Sequence, residues 1–88
     1  MTAPVSLAEA RLFLRATEAA EDGLIQTLID AARARVEGEI GDTLDGDAPA
    51  ALRLAILMLV LGAYERGGTV LAGPAVEAWI APYRKVRL

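Results

Sequence analysis

The chain has 88 residues, 55% of them hydrophobic, a formal net charge of −3, and neither cysteine nor histidine. Their absence excludes disulfides and thiolate metal sites and removes the commonest general base and metal ligand. Ser6 is the only serine and has no histidine to activate it, so we expect no enzymatic activity, no metal and no cofactor. The length suits one domain, spanning residues 1–88.

The first predicted helix begins after Ser6. Ser6 and Glu9 have the spacing of a capping box, in which two side chains pair with the free N–H groups of a helix start. Leu7, Ala10 and Leu14 then form an apolar stripe at helical spacing. The polar or small residues 17–22 predict a connection.

The second predicted helix runs from about Asp22 to Ile40. Its apolar residues recur at helical spacing over four turns: Leu24, Ile25, Leu28, Ile29, Ala32, Val36 and Ile40. Asp30 and Arg33, and Arg33 and Glu37, are spaced as surface ion pairs on the opposite face. Gly41 is a favourable helix end because it tolerates the left-handed conformation.

Residues 41–48 predict a loop. Its acids Asp42, Asp45 and Asp47 suggest calcium, but their spacing does not match an EF-hand. Arg53 stands where the bidentate glutamate would be needed. We interpret the acids as solvated turn residues.

The third predicted helix runs from Pro49 to about Arg66 and is apolar on every face between Leu54 and Ala63. A helix of this kind must be buried on all sides. The apolar run of eleven residues, 54–64, is shorter than the ~20 residues that cross a bilayer. Either the other helices enclose it, or another subunit covers one side. The candidate residues for subunit packing are Leu54, Leu57, Leu61 and Tyr64.

The fourth predicted helix opens at Pro74 and continues through Ala81, with an apolar face of Val76, Trp79 and Ile80. Pro82 should end it and leave residues 82–88 as a C-terminal tail. Apolar residues of the tail alternate loosely with basic ones: Tyr83, Arg84, Lys85, Val86, Arg87 and Leu88. This mixture suggests a segment that docks on a partner, although a frayed terminus has the same pattern.

Charge is unevenly distributed along the chain. Residues 1–47 carry ten acids and four bases, a net −6, whereas residues 48–88 carry two acids and five bases, a net +3. This asymmetry favours complementary contacts between chains or copies over general nucleic-acid binding. No basic segment opens the chain as in a signal peptide, so we expect a soluble protein made in the cytoplasm.

Four segments, in order, resemble the head–tail connector (adaptor) family of tailed phages and gene transfer agents, which is related to the HK97 connector. They are VSLAEARLFLR (5–15), EDGLIQTLIDAARARVEGEIG (21–41), PAALRLAILMLVLGAYERGG (49–68) and AVEAWIAPYRKVRL (75–88). The last includes the string APYR. Many members have a longer segment between the second and third helices, where this chain has only residues 41–48.

The resemblance implies a structural virion protein in the particle neck, assembled in the bacterial cytoplasm, whether the particle is a phage, a prophage product or a gene transfer agent. The family's subunits form a homo-oligomeric ring, expected to be a dodecamer. It lies between the portal protein and a stopper or tail-side protein, and DNA passes through it without sequence-specific binding. The expected fold is an all-α bundle of about four helices with a long apolar central helix, and the tail would dock on the portal.

Two other functions remain open at this stage. A small helical interaction module or regulator would share the helices but form a dimer. A helix-turn-helix DNA-binding protein fits less well, because the chain is acidic and has no basic, polar recognition helix.

Overall fold

Four α-helices form the described part of the chain, which in the computed structural model comprises residues 3–16, 19–65 and 74–84. They are α1 (Leu7–Leu14), α2 (Asp22–Ile40), α3 (Ala50–Glu65) and α4 (Pro74–Ile80), with short 3₁₀ turns at Ala19–Glu21 and Ala81–Tyr83. These ranges contain no strand. The predicted all-α bundle of about four helices is therefore confirmed.

The predicted capping box at the start of α1 is confirmed. The Ser6 hydroxyl accepts a hydrogen bond from the Glu9 N–H at 3.1 Å, and the Glu9 carboxylate accepts one from the Ser6 N–H at 3.1 Å. At the other end, Arg15 has a left-handed backbone with φ of 57°. A side chain in this conformation costs about 1–2 kcal/mol, and no local sequence signal marked Arg15 as the helix end.

Helix α2 has the predicted bounds. Gly41 has φ of 75° and donates its N–H to the Glu37 carbonyl at 2.9 Å, as expected for a glycine helix end. One face is buried, through Ile25, Ile29, Ala32, Val36 and Ile40. Leu24, which the sequence placed on this stripe, is instead 53% exposed, because it lies to one side of the buried face.

Helix α3 is fully buried on one side only. The buried residues are Leu52, Ala55, Ile56, Leu59, Val60 and Ala63. On the opposite side Leu54 is exposed, and Leu57, Met58 and Leu61 are only partly buried. The other described helices therefore do not enclose α3, which was the first of the two arrangements that the sequence left open.

The expectation of one long apolar central helix is not confirmed. Helix α2 has 19 residues and α3 has 16, and each packs against the other three helices. The core lies between them and includes Val5 from the segment before α1, Leu44 from the loop, and Val76 and Ile80 from α4. None of the described helices is long and apolar enough to cross a membrane.

Helix α4 ends at Ile80, one residue before the predicted end, and the chain continues into the 3₁₀ turn Ala81–Tyr83. Pro82 stands in the first part of this turn, where its missing N–H leaves no hydrogen bond unmade. The tail predicted to begin at Pro82 thus starts as a continuation of the helix. Its residues 85–88 lie outside the described ranges.

Candidate assembly surfaces

The outward side of α3 is apolar. Leu54, Leu57, Met58 and Leu61 are three or four residues apart, so they share one side of the helix. Leu54 is 36% exposed, and the other three are partly exposed. We call these four residues the α3 face. Contiguous apolar side chains on a surface are typical of protein–protein contact sites.

Tyr64, also predicted to pack between subunits, is used within its own chain. Its hydroxyl donates a hydrogen bond to the Glu21 carboxylate at 2.6 Å, and its ring packs against the core. Leu57 also packs partly against the core. Of the four predicted residues, Leu54 and Leu61 therefore lie on the α3 face and do not pack against the core.

The described start of the C-terminal tail lies against α2. Arg84 forms an ion pair with Glu39, with 3.0 Å between guanidinium nitrogen and carboxylate oxygen, and Tyr83 is 40% exposed. The remaining predicted docking residues, Lys85, Val86, Arg87 and Leu88, lie outside the described ranges. The Arg84 pair therefore holds the described start of the tail against α2.

The loop after α2 is held by Arg33 and Glu37. Arg33 donates a hydrogen bond to the Leu44 carbonyl at 2.6 Å, and Glu37 accepts one from the Leu44 N–H at 2.8 Å. The predicted pair of Arg33 and Glu37 forms at 3.1 Å. Asp30, predicted to pair with Arg33, accepts instead from Gln26 at 2.9 Å. Leu44 is thereby fixed in the core at 6% exposure.

An open cavity of about 270 Å³ lies between this loop and the turn at Tyr83. We call it the acidic cavity; its lining includes apolar Ile40, Leu44 and Leu52 and also the acids Asp42, Asp45 and Asp47. The Asp45 carboxylate accepts a hydrogen bond from the Asp47 N–H at 2.9 Å. Within the described ranges, no arginine or lysine forms an ion pair with Asp45 or Asp47.

A second surface lies at the end of α1. Leu12 is 81% exposed. It lies beside an open space of about 420 Å³ whose lining residues we call the Leu12 patch: Ala8, Arg11, Leu12, Arg15 and Ala16. Arg11 lies 3.4 Å from the Asp22 carboxylate, which ties α1 to the start of α2. Arg15 forms no ion pair with any residue that the structure describes. No pattern in the sequence predicts either cavity.

Arg53 links α3 to the N-terminal segment. Its side chain donates to the Pro4 carbonyl at 3.0 Å and also pairs with the Glu9 carboxylate. The pKa of Glu9 lies below its usual value, first because of the hydrogen bond from the Ser6 N–H and then because of the positive charge of Arg53; partial burial opposes the shift. The only sequence signal for this contact is that Arg53 is the single basic residue of α3.

No three acidic side chains in the described ranges gather closely enough to hold a metal ion. The α3 face and the Leu12 patch expose apolar side chains, and exposed acids line the acidic cavity; exposed apolar patches mark contact sites between proteins. The arrangement therefore suits binding of protein surfaces.

Comparison with known proteins gave one result. The sequence profile of the family described as phage gp6-like head-tail connector protein matches residues 4–70, which include α1, α2 and α3. Searches of curated proteins and of solved structures found no match. The matched segment covers well over half of the 88 residues and stops before α4 and the tail.

Proposed function

The chain belongs to the phage gp6-like head–tail connector family, and from that premise we propose that it forms the adaptor ring between the portal and the stopper or tail of a virion. The ring is a homo-oligomer, a dodecamer in the particle, and it is assembled in the bacterial cytoplasm. DNA passes through its channel without sequence-specific binding. The family match over residues 4–70 is the observation that carries this proposal.

The α3 face supports packing between subunits. Leu54, Leu57 and Leu61 expose apolar area that the chain itself does not cover, and burial of such area stabilises an assembly by about 25 cal/mol per Å². A neighbouring subunit in the ring would cover it. This is the second of the two arrangements that the sequence left open.

The C-terminal tail is the proposed attachment to the portal. Tyr83, Val86 and Leu88 can fill apolar pockets, and the basic residues can pair with carboxylates; tyrosine and arginine are frequent among residues that dominate interface energies. The pair between Arg84 and Glu39 supports a defined position on α2 for the start of the tail. The family match ends before this segment, so the proposal rests on the tail's own chemistry.

The acidic first half of the chain suits a channel for DNA. Residues 1–47 carry a net −6, and positively charged walls would hold the phosphates of the passing DNA. We therefore place acidic surfaces of the first half toward the channel.

Particle assembly tests the proposal directly. Without the protein, the producing cell should make filled heads and separate tails that do not join, as seen by electron microscopy. The wild-type chain supplied in trans should restore joined particles. Fully tailed particles made in its absence would contradict the proposed function. A fixed dimer that does not bind the portal would instead favour the regulator alternative.

A further inference from the structure

The Leu12 patch and the acidic cavity are formed by different parts of the chain. Arg11, beside Leu12, pairs with Asp22 at the first residue of α2, whereas the acidic cavity is formed by the loop that follows its last residue, Ile40. No described residue lines both surfaces, so each can serve a different neighbouring copy.

The exposed Leu12 side chain of one surface can enter the cavity of the other. Leu12 is 81% exposed, the largest exposure among the large hydrophobic residues of the described ranges. The acidic cavity offers it about 270 Å³ of space beside the exposed Pro49 and Tyr83. A cavity of about 150 Å³ in another protein holds a benzene molecule, so a leucine side chain has room here. The cavity is also preformed, because Arg33 and Glu37 hold the backbone of Leu44 from both sides.

The charges of the two surfaces are complementary. Arg15, one helical turn from Leu12, is exposed and has no ion-pair partner in the described ranges. Asp45 and Asp47 line the cavity, are exposed, and likewise have no basic partner there. Opposite charges across a contact guide its formation and fix its orientation.

We propose that Leu12 of one copy inserts into the acidic cavity of a second copy, with Arg15 lying against Asp45 and Asp47. This inference rests on the proposed ring and names a contact within it. Because the two surfaces differ, the contact is head-to-tail, and repetition of such a contact generates a ring when the rotation closes. None of the residues of the α3 face lines either cavity, so the two contacts can be tested separately.

Disulfide trapping tests the contact, since the natural chain has no cysteine. The full-length double variant carries Leu12→Cys and Thr43→Cys. Position 43 was chosen because it is exposed and lines the acidic cavity. Oxidation at increasing protein concentration should give a ladder of covalent multimers on a non-reducing gel. A matched control, Ala31→Cys with Thr43→Cys, uses an exposed position in the middle of α2 and should give no ladder. Dimers of Leu12→Cys alone would show a symmetric contact and overturn the inference.

Charge reversal provides the second test, read by sedimentation velocity. Arg15→Glu or Asp47→Arg alone should weaken self-association at least about tenfold, whereas the chain with both changes should recover it. A mixture of the two single variants should also recover, because each supplies the surface that fits the other. Arg35→Glu is the matched control, since Arg35 lines neither cavity.

The outcomes separate this contact from the proposed function. Oligomers that form without trapping between positions 12 and 43, and that tolerate both charge reversals, overturn the inference but leave the ring intact. A chain that stays monomeric and untrapped at the highest soluble concentration overturns the inference together with self-assembly of the ring. Attachment of tails to heads in the particle assay remains a separate measure of the connector function.

Discussion

Glu9 connects three parts of the structure through one carboxylate. It accepts the hydrogen bond that caps α1 from Ser6 and pairs with Arg53 of α3, and these contacts lower its pKa below the usual value. A carboxyl whose pKa is lower in the folded than in the unfolded state stabilises the fold when it is ionised. That contribution is complete above the unfolded pKa of about 4.3 and is lost as the pH falls through the folded pKa.

We therefore expect Glu9→Gln to reduce the sensitivity of the fold to acid. Glutamine can still accept the Ser6 hydrogen bond in a capping box but carries no charge to protonate. Between about pH 7 and about pH 3, the melting temperature followed by circular dichroism should fall less for this variant than for the parent. Glu65→Gln, at an exposed position at the end of α3, should behave like the parent. An equal fall for Glu9→Gln and parent would contradict the role given to Glu9.

Leu54 and Val60 lie on opposite sides of α3 and should respond differently to a charge. Val60→Glu buries an unpaired carboxylate at a position only 1% exposed, which costs several kcal/mol and is comparable to the whole stability of a small domain, about 5–15 kcal/mol. Circular dichroism should show that this variant is unfolded. Leu54→Glu should keep its melting temperature within a few degrees, because exposed substitutions change stability by about 0.5 kcal/mol or less.

Charged substitutions of Leu54 and Leu61 test the α3 face. Leu54→Glu and Leu61→Glu should fold and yet fail to form the ring with the portal, as measured by sedimentation. Leu57→Glu should lose both stability and assembly, because Leu57 also packs against the core. If Leu54→Glu and Leu61→Glu assemble like the parent, the α3 face is not a subunit contact.

At the scale of the elements, the segment after α4 contributes to the fold and is also the proposed portal contact. Pro82 lies in a 3₁₀ turn that follows α4 directly, and Arg84 after this turn pairs with Glu39 of α2. Removal of the whole tail therefore removes a contact within the domain as well as any contact with a partner. Two truncations can distinguish these effects.

A chain that ends after Arg84 should keep the contact with Glu39 and its helical content, but lose attachment to the portal. A chain that ends after Ala81 should also lose the ion pair, at a cost of about 0–1 kcal/mol for an exposed pair, and stay helical. Circular dichroism measures the fold, and co-purification with the portal measures docking. Normal portal binding by the longer truncation would contradict docking through residues 85–88. Loss of helical content by the shorter one would show that the turn at Tyr83 belongs to the core.

At the scale of the whole molecule, the described chain presents three distinct surfaces, the Leu12 patch, the acidic cavity and the α3 face. A dimer uses the same surface on both subunits, whereas a ring needs two different ones on each. The Leu12 patch and the acidic cavity share no described residue and satisfy the second requirement. The family match indicates assembly with other virion proteins in the head–tail neck.

We expect native mass spectrometry of the chain bound to its portal to show a ring of twelve copies, with weaker assembly at high salt because charges line the head-to-tail contact. The charge-restored variant, Arg15→Glu with Asp47→Arg, should give the same mass as the parent. A complex with only two copies per portal assembly would contradict the ring.

The sequence by itself determined the fold class, the bounds of the helices to within a few residues and the family resemblance. The spacing of Ser6 and Glu9, the glycine at position 41 and the apolar period of α2 are local signals, and each acts over a few residues of chain. It also identified Leu54 and Leu61, together with Leu57 and Tyr64, as candidates for subunit packing, because α3 is apolar on every face between Leu54 and Ala63.

Only the tertiary structure decided which side of α3 the chain covers, and which charged residues meet. Arg53 pairs with Glu9, Tyr64 with Glu21, and Arg84 with Glu39, across separations of more than 40 residues. The two cavities likewise arise from segments brought together by helix packing. Periodicity specifies which residues share a face of one helix, but the partner of that face depends on how the helices are placed, and no local signal contains that information.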